Sequence, residues 1–125
     1  MTLVSILLVA FVAFQHVAFF VLETLLVKGP IGAKVFKLKP SEQAIVAPVL
    51  ANQGVYNGFL AVGLVWGLVE PVPVFAFALK IFFLGCVFVA GIFGGLTTVR
   101  SILFIQALPA ALALFAVWRA GHGVG

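Results

Sequence analysis

Four apolar stretches, each about as long as a bilayer is thick, take up most of this chain: about Leu3 to Val27, Ala44 to Val69, Pro73 to Gly95 and Ser101 to Trp118. A helix rises only about 1.5 Å per residue, so crossing a hydrocarbon core roughly 30 Å thick takes about 20 mostly apolar residues. Of the 125 residues, 65% are hydrophobic and 8% charged, with a mean hydropathy of +1.35. A soluble domain this short leaves a large share of its surface in water, and seven basic and three acidic residues cannot clothe that surface. The composition therefore excludes disorder and ordinary soluble globularity. It predicts an all-α, polytopic integral membrane four-helix bundle, with residues 1–125 as a single transmembrane domain and the lipid bilayer as its first partner.

The first stretch is longer than a signal-peptide core and has no basic residue ahead of it, so it is expected to stay in the mature chain. Cys86 is the only cysteine, which allows neither an intramolecular disulfide nor a multi-cysteine metal centre, and no metal is expected. The net charge of +4 is not gathered into a basic helix or an aromatic-interleaved patch, so no nucleic-acid partner is expected. The charges serve orientation better. Lys28, Lys34, Lys37 and Lys39 crowd the stretch 28–43 against Glu42, with Pro30 and Pro40 read as helix breakers. This is the expected cytoplasmic loop. Arg100 falls on the same side after two crossings, and both termini are expected on the non-cytoplasmic side. The turn from Glu70 to Pro73 is short, which makes the second and third spans antiparallel neighbours. Lys80, seven residues into the third span, has a stem long enough to snorkel toward the interface and reach Glu70.

Close packing is signalled by three pairs of glycines at four-residue spacing, Gly54/Gly58, Gly63/Gly67 and Gly91/Gly95, which let helix backbones approach in lipid. Pro48 and Pro109 are expected to kink the second and fourth spans. The short helices leave open assembly into a homo-oligomer.

Polar side chains inside hydrocarbon are costly and normally face protein or a wet cavity. His16 and Glu23 lie two turns apart on nearly one face of the first span. Counted at about 1.5 Å per residue from the cytoplasmic ends, His16 lies roughly 16 Å deep, level with Asn52 to Asn57 at roughly 12 to 20 Å. Asn52, Gln53, Tyr56 and Asn57 form a dense patch at three- and four-residue spacing. Gln106, with Arg100 at the cytoplasmic end of the fourth span, completes the candidate ligand-binding set His16, Glu23, Asn52, Gln53, Tyr56, Asn57, Arg100 and Gln106. His122 stands in a glycine-rich end. No cofactor and no catalytic residue follows from these spacings.

The stretch from Ala51 to Ala61, AlaAsnGlnGlyValTyrAsnGlyPheLeuAla, preceded by LysValPheLysLeu at 34–38, resembles a small bacterial membrane family, domain of unknown function 1304. His16, Glu23 and the glycine- and threonine-rich end of the third span fit the same pattern, and Gln15 stands where that pattern often has an acid. The resemblance implies four membrane helices, a location in a bacterial inner (plasma) membrane, and no assigned reaction. A fainter similarity is to small four-helix membrane enzymes that bind glutathione between protomers, whose repeated arginine and histidine pattern this chain lacks.

Three functions compete on these residues. The first is a cytoplasm-facing intramembrane pocket that binds or translocates a small polar or amphipathic molecule. The second is a small membrane enzyme of isomerase or transferase type acting on a lipophilic substrate through His16 or Glu23. The third is a structural or regulatory subunit whose polar groups bond between helices.

Overall fold

Proline has no N–H to give a helical ladder, and three of the six prolines of this protein begin helices. The computed structural model describes residues 1–121: α1 (Leu3–Thr24), α2 (Pro30–Phe36), α3 (Pro40–Val69), α4 (Pro73–Thr97), a π turn (Leu103–Ala107) and α5 (Leu108–Gly121), with no strand among the described residues. Pro30, Pro40 and Pro73 are each the first residue of their helix. The first N–H of a helix has no partner within it, so losing it there costs nothing, and the ring presets the required φ. The reading of Pro30 and Pro40 as breakers is corrected accordingly. The stretch 28–43 contains a two-turn helix and the first turn of α3, so α3 starts at Pro40 rather than near Ala44, while α1 stops at Thr24 rather than Val27.

α1, α3, α4 and the segment Leu103–Gly121 are long and apolar enough to cross a membrane, matching the four expected spans in number and order. Local chemistry fixes the ends. The backbone N–H of Lys39 donates to Glu42 Oε1 at 2.8 Å, half of a capping box at the start of α3. Lys37 ends α2 in the left-handed region, at φ 55° and ψ 50°, a cap usually given to glycine.

The chain forms two compact units. The first combines Met1–Ala13 with the chain from Val62 onward. Within it, a Cβ added to Gly67 would meet Lys80 Cγ at 2.7 Å, and Gly63 lies against the Phe83 ring, so the end of α3 runs antiparallel to α4. Gly91 and Gly95 meet Ala107 and Leu103, and Gly121 meets Phe77, which sets α4 antiparallel to the π turn and α5. Leu64, Leu84, Val87, Ala110, Ala113 and Val117 are buried between them. The π turn absorbs Pro109. The Leu108 N–H bonds to the Leu103 carbonyl, five residues back, and this wider turn lies where the proline ring and its missing N–H interrupt ordinary α spacing.

The second unit, Phe14–Ala61, contains the rest of α1, all of α2 and most of α3. A Cβ on Gly54 would meet Thr24 Cγ2 at 2.7 Å and Glu23 Cβ at 3.0 Å, and one on Gly58 would meet Phe20 Cδ1 at 3.1 Å. All three glycine pairs expected to permit close approach therefore sit at helix contacts.

Candidate functional site

The close approach at Gly54 and Gly58 brings two polar side chains together across α1 and α3. Asn57, between these glycines, donates from Nδ2 to Glu23 Oε1 at 2.5 Å. Glu23 and Asn57 are both half-buried. No other described residue bonds to Glu23 Oε2 or Asn57 Oδ1. With the bond made and Glu23 ionised, the pair presents acceptors only, one carboxylate oxygen and one amide carbonyl. The neighbouring hydroxyl does not compete, because Thr24 Oγ1 donates to the Phe20 carbonyl at 2.6 Å.

One residue along α1 from Glu23, Thr24 lines a cavity of about 280 Å³ together with Leu25, Val27, Lys28, Ala47, Pro48 and Ala51; Glu23 and Asn57 themselves are not in its lining. Gln43 holds the adjoining backbone. Its Nε2 donates to the Val27 carbonyl at 2.9 Å and to the Gly29 carbonyl at 3.0 Å, and the residue is buried. These carbonyls follow the end of α1, where a helix leaves its acceptors without internal partners. Gly32 is enclosed nearby, with room for a Cβ denied by the Val27 carbonyl oxygen 2.5 Å away. Gln43 was hidden in the sequence by its place in the basic stretch. A lone amide entering a long apolar helix was the available signal.

The eight candidate residues are placed differently from one another. His16 is fully buried and meets the Phe19 ring edge-on at 5.3 Å. The expected level with Asn52 to Asn57 is corrected by the helix register. Gly58 meets Phe20, and both Gly54 and Asn57 meet Glu23, so in an antiparallel pair His16 is carried past Asn57 toward Ala61. Depth counted from helix ends misplaces it because α3 extends well beyond the end of α1 and the 25–39 connection covers the difference. Asn52, Gln53 and Tyr56 are exposed on α3, with Tyr56 edge-on to Phe59 at 6.0 Å.

Arg100 and Gln106 belong to the first unit. Arg100 is exposed between α4 and the π turn, and Gln106 is half-buried within that turn. Thr97 and Thr98 return their hydroxyls to the carbonyls of Phe93 and Gly94, at 2.7 Å and 2.5 Å. The expected reach of Lys80 to Glu70 is also corrected. Lys80 Nζ donates to Met1 Sδ at 2.8 Å, whereas Glu70 Oε2 accepts from Trp66 Nε1 at 2.9 Å. His122 lies outside the described residues. Among the described residues no group of three or more His, Cys, Asp or Glu side chains is placed to hold a metal ion.

One family model, described as Protein of unknown function (DUF1304), matches residues 10–118. The matched span includes both Glu23 and Asn57. No curated protein and no solved structure matches the chain.

Proposed function

The chain belongs to the DUF1304 family, whose description assigns no reaction, and we propose from its α1–α3 contact that it is a multi-pass membrane protein binding a small amphipathic molecule. The observation that carries this is the Asn57–Glu23 bond, which leaves two acceptors one residue along α1 from Thr24, where a cavity begins that Leu25, Val27 and Ala47 make largely apolar. An acceptor-only anchor next to an apolar groove suits a headgroup rich in donors, an amine or a polyol, on a hydrocarbon body. Lys28 at the groove adds a charge that can hold a phosphate or carboxylate on the same ligand.

The basic residues of the 25–39 connection favour a cytoplasmic position for this end of α1, with both termini on the opposite side, in a bacterial inner membrane. Translocation is an extension of the same reading: a groove opening beside the cytoplasmic end of two helices is an entry point. This groove is built from residues of the second unit, whereas Arg100 and Gln106 belong to the first.

The test is a thermal-shift screen of amphipathic amines, polyols and their phosphates against the purified chain in detergent. At least one compound is expected to raise the Tm of the wild type, and its effect should fall by half or more in Asn57→Leu and Glu23→Ala. A screen without such a compound, or equal shifts in all three proteins, refutes the site.

A further inference from the structure

A second polar construction lies in the unit formed by Met1–Ala13 and the chain from Val62 onward. Lys80 stands about 10 Å along α4 from Pro73 at about 1.5 Å per residue, and it is only 4% exposed. Among the described residues its hydrogen-bond partner is a thioether, Met1 Sδ, a weak acceptor that does little to compensate a charge. The glycine at position 67, touching Lys80 Cγ, is what lets α3 and α4 close over the lysine stem.

Lys80 and Met1 line a cavity of about 530 Å³ that Glu70 also lines, with Phe77, Val74 and Val117 as apolar wall. Glu70 spends Oε2 on Trp66, and no described residue bonds to its Oε1. A cation and an anion thus share one cavity without pairing with each other. Lys80, held away from bulk water, is costly until it finds a partner, whereas Glu70 is only half-buried. The complement of a positive and a negative group lining one cavity without pairing is a molecule carrying the reverse pair.

We propose that this cavity binds a zwitterion, its phosphate or carboxylate on Lys80 and its ammonium on Glu70. Glu70 makes the difference between this and a simple anion site, since an anion without an ammonium would meet the carboxylate unscreened. Two sources share the chemistry, an ethanolamine phospholipid headgroup and a free amino acid.

The experiment uses the full chain in detergent. The chain has two tryptophans, so a Trp118→Phe background leaves Trp66, bonded to Glu70, as an internal reporter. Trp66 fluorescence and native mass spectrometry follow titration with an ethanolamine phospholipid, the matching glycerol phospholipid, and glycine. The ethanolamine lipid is expected to bind at least about tenfold more tightly than the glycerol lipid, a difference of about 1.4 kcal/mol. Glu70→Gln should erase that preference, and Lys80→Met should weaken binding of both lipids by about tenfold or more.

The unliganded Lys80→Met protein should melt no lower than wild type, because the change removes an unpaired charge and keeps the stem, which separates lost binding from lost folding. Displacement of the lipid by glycine assigns the site to free zwitterions, and lipid binding unaffected by glycine assigns it to the membrane. Equal affinity for the two phospholipids, unchanged binding in Lys80→Met, or no binding by either ethanolamine lipid or glycine overturns the proposal.

Discussion

The Glu23–Asn57 bond makes a quantitative prediction through a double-mutant cycle. Alanine at position 23 keeps the Cβ that packs 3.0 Å from the site of a Cβ on Gly54, so Glu23→Ala removes the carboxylate without loosening the helix contact. Asn57→Ala removes the donor and leaves the carboxylate, and the double variant removes both. Hydrogen bonds to charged groups contribute about 1.5–3 kcal/mol in soluble proteins. Bonds between helices in lipid average about 0.6 kcal/mol and reach about 1.7. A half-buried pair with a carboxylate acceptor belongs at the upper end of the second range, so the expected coupling is about 1–2 kcal/mol, or about 5- to 30-fold in the folding equilibrium. Reversible unfolding in mixed micelles, titrated with a denaturing detergent and followed by tryptophan fluorescence, measures the four proteins. A coupling below about 0.3 kcal/mol, the scatter of independent sites, would mean that the two groups do not hold one another. The acceptor-only anchor would then have no foundation.

Two further outcomes probe the frame around the site. Gly54→Val places methyl groups where a Cβ alone already comes within 2.7 Å of Thr24 Cγ2, and should destabilise by about 1–3 kcal/mol by overpacking. Gly85→Ala is the control, since a Cβ there meets nothing within 4 Å, and its Tm should stay level or rise. Lys37→Gly relieves the side chain from the left-handed cap at φ 55° and should raise stability by about 1 kcal/mol, measured as a higher Tm.

Much of the site's construction was legible in the residues before any fold was known. Gly54 and Gly58 announce a close helix contact through their spacing, and Glu23 and Asn57 stand out because lipid penalises both. What the spacing could not give was which acid meets which amide. His16 and Asn57 come out level when depth is counted from helix ends, yet Asn57 bonds to Glu23. Ends are poor rulers here, because Pro40 and the capping Glu42 start α3 early while α1 stops at Thr24. The snorkelling direction assigned to Lys80 had the same weakness. A long stem can reach in several directions, and the choice of Met1 Sδ depends on what packs around it.

Solvent preference and helical order are properties of single segments, set by the transfer free energy of about twenty consecutive side chains and by prolines and caps within a few residues. For that reason the four long helices, their order along the chain and the glycine faces on them follow from local pattern. The pairing of Glu23 with Asn57, the clamping of the Val27 and Gly29 carbonyls by Gln43 and the enclosure of Lys80 in a cavity that Glu70 also lines depend on how those faces slide to closest contact. That sliding is decided by interlocking side chains far apart in the chain, and one helical turn of it exchanges every polar partner.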